Sequence, residues 1–228
     1  MAARSNHRSV RTRVGDRAAS WTLAPSLNHS TITTYARLVF SYRGARVRRI
    51  INSTFITLDG VIANPHQWPS GRLTEDASVA MQTDLLCSCD AVLMGRNTYK
   101  NFAAAWPARS GDPFSDRLNS MAKYVVSSTL KKADWQHTTI ISDDPLAQIA
   151  RMKNEPGQDI VQYGFGQLSH ALMERRLLDE LRLWVHPVFL GRGGPEGLLY
   201  RDAPTTMFTF VDAQPFKNGN VVLTYRLP

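Results

Sequence analysis

Between residues 49 and 190, short runs of β-favouring residues alternate with segments whose apolar positions recur at helical spacing. Few architectures accommodate that alternation. Residues 49–58 read as a first strand closed by the turn pair Asp59-Gly60, and residues 74–89 follow with helical spacing and Thr74 as N-cap. Ala91-Val92-Leu93-Met94 is continuously apolar, as a strand buried on both faces requires. A helix over residues 97–105 comes next, then strands over 123–127 and 138–142. A short helix runs from Pro145 to Met152, followed by a strand over 160–163. Gly164 and Gly166 lead into a helix carrying Leu168, Ala171 and Leu172, and residues 181–190 form a long strand interrupted by Pro187. Residues 207–227 alternate in polarity and fold back around Lys217-Asn218-Gly219-Asn220, where Asn-Gly favours a hairpin turn. The fold expected is α/β, a mostly parallel central sheet with helices on both faces and an antiparallel C-terminal hairpin.

Charge divides the chain of 228 residues at one place. Residues 1–46 hold eight Arg and one acid, Asp16, so they carry +7 of the total +8 and leave +1 for residues 47–228. The first segment reads as an Arg-rich extension expected to be poorly ordered, and residues 47–228 as one domain. The near-neutral domain argues against nucleic acid as partner. No apolar run approaches the ~18 residues of a membrane span, so a soluble, cytoplasmic protein is expected. Cys87 and Cys89, at the end of the 74–89 helix, would point about 200° apart, a poor chelating pair. With six scattered histidines, no metal site is expected.

Four polar clusters fall at carboxyl ends of strands, where ligands bind in open α/β sheets. They are Thr57-Leu58-Asp59-Gly60, Gly95-Arg96-Asn97-Thr98-Tyr99, Ser127-Ser128-Thr129 and Gly164-Phe165-Gly166-Gln167. Glycines let backbone approach a ligand, helix N-termini present free N–H groups, and Arg96 offers a guanidinium to phosphate. Each cluster alone also fits an ordinary turn; together they describe a nucleotide site with several anion-binding loops. The pattern lacks G-x-G-x-x-G with its following acid and lacks a Walker loop. Asp59 is the carboxylate placed beside reacting groups, or else a turn aspartate bonding its own backbone. Trp68 and Trp106 offer flat cleft walls or packing, and His186 reads as a core histidine.

In this order the motifs are recognisable. Residues 48–227 resemble the dihydrofolate-reductase-like superfamily, in the branch of the C-terminal reductase domain of the riboflavin-biosynthesis deaminase/reductase. The stretches that carry the resemblance are Phe55-Ile56-Thr57-Leu58-Asp59-Gly60-Val61-Ile62-Ala63, Val92-Leu93-Met94-Gly95-Arg96-Asn97-Thr98-Tyr99, Lys123-Tyr124-Val125-Val126-Ser127-Ser128-Thr129-Leu130 and residues 178–191. The resemblance implies NADPH as hydride donor, with Gly95, Arg96 and Thr98 at the phosphates, Ser127 and Ser128 near the adenosine 2′-phosphate, and Gly164, Phe165 and Gly166 at the pyrophosphate. Phe165 departs from the small residue that often stands between such glycines. The expected activity is NADPH-dependent reduction of a small heterocycle or ribosyl-aminopyrimidine; the alternative is a nucleotide-binding or regulatory protein of the same fold without turnover. The resemblance further implies a homodimer. Trp184, on the polar side of the 181–190 strand, needs cover from a partner subunit or from its own chain.

Overall fold

A computed structural model describes residues 47–69, 76–200 and 203–228; the extension over residues 1–46 and the N-cap expected at Thr74 lie outside them. Eight strands form one sheet: β1 (Ile50–Thr57), β2 (Cys89–Gly95), β3 (Ala122–Val126), β4 (Thr138–Ile141), β5 (Asp159–Tyr163), β6 (Glu180–His186), β7 (Thr209–Pro215) and β8 (Val221–Arg226). Their order is β4-β3-β2-β5-β1-β6-β8-β7, parallel from β4 to β6 and antiparallel at β6-β8 and β8-β7. Among the described residues five α-helices connect them: α1 (Asp76–Cys87), α2 (Arg96–Ala105), α3 (Pro113–Ser120), α4 (Pro145–Asn154) and α5 (Gln167–Glu174).

The buried strands feed two cores because successive residues point to opposite faces. On one face Ile51, Val92, Met94 and Val161 pack with Leu85 and Leu86 of α1, Tyr99 of α2 and Leu118 of α3. On the other, Ile50, Ala91, Leu93 and Ile160 pack with Ile149 and Met152 of α4 and Leu172 of α5. Helices thus cover both faces of the parallel part, as the continuous apolar run in β2 requires.

Several sequence-based boundaries move. The long strand ends at His186, because Pro187 cannot continue the ladder. Helix α3 is not among the helices expected from the sequence, although Asp112 accepts from the Ser115 amide and Pro113 sits at N1, because the segment is short and mostly polar. Cys89 belongs to β2, not to a helix; burial pushes its thiol up to about 11, while Cys87 is exposed. Trp184 is 1% exposed and covered by its own chain, with its indole N–H donating to Ser53 Oγ at 2.9 Å and its ring stacked on Phe216. The need for a partner at Trp184 disappears.

The opposite face of β6, β8 and β7 is different. Sheet register places Leu181, Leu183 and Val185 beside Tyr225, Leu223 and Val221, and these beside Phe210, Ala213 and Pro215. Apart from Leu181, which is buried, these side chains are half-buried or exposed, and all nine lie outside both helix-covered cores.

Candidate functional site

Strand order locates the site. From β1 the chain moves through α1 to β2 and on towards β4; from β5 it turns back through α5 to β6. The direction of winding therefore reverses between the neighbours β2 and β5, where loops part and leave a crevice at the carboxyl ends. The two turns bordering it are Gly95-Arg96 and Gly164-Phe165-Gly166.

Both turns open a helix without a side-chain cap. Gly95 is the N-cap of α2 and Gly166 that of α5, and neither helix start has a capping side chain, whereas α3 and α4 are capped by Asp112 and Asp144. Their first N–H groups are left to an external acceptor or to water, at the positive end of each helix dipole. A Cβ at Gly95 would meet open space, so glycine is not required there by crowding. Gly164 differs: its φ of 77° lies in the left-handed region, and a Cβ there would stand 2.2 Å from Thr98 Oγ1. Thr98 and Gly164 are thus in direct contact across the crevice floor.

A buried polar network holds the Gly164 turn. Asn52 of β1 donates from Nδ2 to Gln162 Oε1 at 3.0 Å and to the Gly164 carbonyl at 2.9 Å, while Thr54 donates to Asn52 Oδ1 at 2.8 Å. Gln162 in turn donates to Ser169 Oγ at 2.7 Å. Burying four polar side chains is tolerated because they satisfy one another, and a satisfied network fixes one geometry. These residues were missed as site determinants; the available signal was Asn52 and Gln162 standing inside strands that otherwise read as buried. Phe165, half-buried, lies edge-on to His170 with ring centroids 5.2 Å apart.

At the β3 end the two serines part company. Ser127 is buried, and its Oγ accepts from the amides of Thr129 and Leu130, at 3.2 and 2.9 Å, so it shapes the turn. Ser128 is exposed. Arg96, also exposed, donates from Nη1 to Thr129 Oγ1 at 3.0 Å and ties the β2 and β3 loops together.

Asp59 lies at the other wall. Its Oδ1 accepts from the Thr57 hydroxyl, and its Oδ2 accepts from the amides of Leu190 and Gly191 at 3.0 and 2.8 Å. The Thr57 bond above all, opposed by desolvation and reinforced by the Gly191 and Leu190 amides, holds the carboxyl below its usual range. The Thr57 hydroxyl, the Leu190 and Gly191 amides and the backbone of Asp59 itself together engage the carboxylate. Beyond Asp59, Ile62 and Ala63 donate to the Gly197 carbonyl and Leu199 donates to Gly60, so the loops after β1 and β6 form one wall. Trp68 is buried against His186, and Trp106 packs between Phe102 and Phe114. His186 is itself buried at the end of β6, edge-on to Phe55.

Residues 48–222 match the family described as the RibD C-terminal domain. The chain belongs to that family. The RibD C-terminal domain, reductase-like and of the dihydrofolate-reductase-like fold, accounts for the whole parallel sheet and for β8 up to Val222. Among curated relatives, the uncharacterized protein YyaP of Bacillus subtilis is 32% identical over 187 residues, spanning 78% of this chain and 94% of its own. The uncharacterized protein YwjB of the same organism is 27% identical over 159 residues, spanning 65% and 82%. The fold is shared with a pyrimidine reductase-like protein from Corynebacterium diphtheriae, TM-score 0.55 and 13% identity over 80% of this chain and 93% of that one. It is shared too with a diaminohydroxyphosphoribosylaminopyrimidine deaminase/5-amino-6-(5-phosphoribosylamino)uracil reductase from Thermotoga maritima, TM-score 0.57 and 15% identity over 87% of this chain and 62% of that one. Among the described residues, no helix is long and apolar enough to cross a membrane.

Proposed function

We propose that this RibD C-terminal domain protein is an NADPH-dependent reductase of a small heterocyclic or ribosyl-aminopyrimidine-like substrate. The observation that carries the reading is the pair of uncapped helix N-termini, at Gly95 and Gly166, flanking the crevice where the sheet reverses its winding. Those residues fit a dinucleotide: two sets of free N–H groups for its pyrophosphate and a guanidinium at Arg96 beside the exposed Ser128 for a further phosphate. NADPH, when bound, supplies the hydride.

The chain's own residues orient and enclose. Gly95, Arg96 and Thr98 hold phosphate on the β2 side, Ser128 serves the 2′-phosphate region, and Ser127 keeps that loop in shape. Gly164, Phe165 and Gly166 bind on the β5 side, with Asn52 fixing their carbonyl. Asp59 sets the opposite wall through Leu190 and Gly191 and stands beside the substrate.

Support for a homodimer comes from the apolar face of β6, β8 and β7, which neither helix-covered core of the described residues covers. The test of function is a titration with NADPH and NADH, then NADPH oxidation measured across pyrimidine, pterin and quinone acceptors. NADPH is expected to bind more tightly by about 1–3 kcal/mol. Equal affinity for the two cofactors removes the assignment, and binding without turnover of any acceptor favours a regulatory nucleotide-binding protein.

A further inference from the structure

At the amino-terminal ends of β1 and β6, a length of β1 away from the crevice, the surface holds a cavity of about 580 Å³. Eight residues of strand put the two places roughly 20–25 Å apart. Leu178, Leu227 and Pro228 give it its apolar lining, and Arg49, Arg176 and Arg226 line it as well. Asp179 and Glu180 also line it, but both are already engaged. Asp179 accepts from Lys153 and from the Ile50 amide, and Glu180 accepts from Arg49 and Arg182. Arg49 is held besides by Asp159, through Nε and Nη2. Arg49, Lys153 and Arg182 therefore cancel Asp159, Asp179 and Glu180, three bases against three acids.

Two guanidiniums stay outside that balance. Arg176 and Arg226 are exposed and enter none of the ion pairs or hydrogen bonds formed by their side chains' neighbours at the cavity. Among the described residues that line the cavity the acids are Asp179 and Glu180, both engaged, so Arg176 and Arg226 leave the rim with a net positive charge. The backbone at Arg176 adds an independent observation. Arg176 donates to the Met173 carbonyl and Leu177 to the Leu172 carbonyl, the paired bonds of a helix end whose penultimate residue is left-handed and usually glycine. Here that position, at φ 53°, is arginine. A long cation in a conformation that favours glycine is placed at the cavity edge at a conformational cost.

We infer that this cavity is a second, anion-binding site that takes a phosphate-bearing small molecule, its phosphate held by Arg176 and Arg226 and its remainder lying against Leu227. Guanidiniums bind phosphate oxygens in pairs of charge-assisted hydrogen bonds. The site is remote from the crevice and independent of the cofactor reading.

Thermal unfolding of the full chain in rising inorganic phosphate, against sodium chloride of equal ionic strength, is the test. The expected result is a saturable rise in Tm specific to phosphate. Arg176→Gly relieves the left-handed residue, so it should raise the phosphate-free Tm by roughly 2–4 °C while weakening phosphate binding about tenfold or more. Arg226→Ala should weaken binding similarly without that rise, and NADPH titrations should be the same in all three chains. With the crevice saturated by NADPH, a phosphate effect matched by chloride, or one undiminished in the Arg176→Gly/Arg226→Ala chain, overturns the site.

Discussion

Thr98 Oγ1 occupies the space in which a side chain at Gly164 would begin, 2.2 Å from the position of its Cβ. The β2–α2 and β5–α5 turns are consequently as close as two backbones with one intervening hydroxyl can be. Gly164→Ala should cost about 1–3 kcal/mol, from contact with Thr98 and from the left-handed φ, and should weaken NADPH binding. Adding Thr98→Ala should restore part of the stability, since Oγ1 goes and Cβ stays. A double-mutant cycle by denaturant unfolding checks this; additive losses would mean that the contact carries no energy.

The adjacent serines should separate stability from binding. Ser127→Ala leaves the Thr129 and Leu130 amides without their acceptor and should destabilise the protein by about 1 kcal/mol per lost bond. Ser128→Ala should leave the Tm unchanged and reduce the preference for NADPH over NADH. Arg96→Ala should reduce that preference further, measured by parallel titration of both cofactors.

Asp59→Ala removes the acceptor for the Leu190 and Gly191 amides and should free the loop that follows β6. Limited proteolysis is expected to cut within residues 190–194 in this variant well before the wild type. Turnover should fall with little change in NADPH affinity, because the loop borders the substrate side. An unchanged digestion pattern would show that other bonds hold the loop.

His186 gives the protein an acid-sensitive joint. Burial, only partly offset by Asn220, lowers its pKa to about 4 from an ordinary 6.5, so the folded protein keeps the ring neutral while the unfolded chain takes up a proton. Stability from this group is complete above pH 6.5 and declines as pH falls towards 4, by up to about 3 kcal/mol. Unfolding curves between pH 7 and 4 should be flatter for His186→Gln than for the wild type.

The face of β6 and β8 that lies outside both helix-covered cores separates the proposed assembly from folding. Leu223→Arg should turn the proposed homodimer into a monomer by light scattering with little change in far-ultraviolet dichroism, because Leu223 is half-buried in the subunit. Trp184→Glu should unfold the chain outright, since that ring is stacked on Phe216 and bonded to Ser53.

Local order was legible in the residues themselves. Continuous apolar runs such as Ala91 to Met94 can only be strands covered on both sides, Asn218-Gly219 fixes a tight reversal, and glycine after a strand marks where backbone must turn sharply; these depend on neighbours in the chain. What a side chain is free to do depends on partners distant in sequence. Only the tertiary structure brings Leu190 and Gly191 to Asp59, 131 and 132 residues away, and commits a carboxylate for which the sequence offers only local partners. Only it lays Phe216 over Trp184, and only it sets Ser127 inward and Ser128 outward, a choice made by the turn that the Ser127 hydroxyl caps. Hydrophobic period is a one-dimensional signal that survives in sequence, whereas the satisfaction of buried polar groups is decided by which strands become neighbours, and here the insertion of β5 between β2 and β1 decides it.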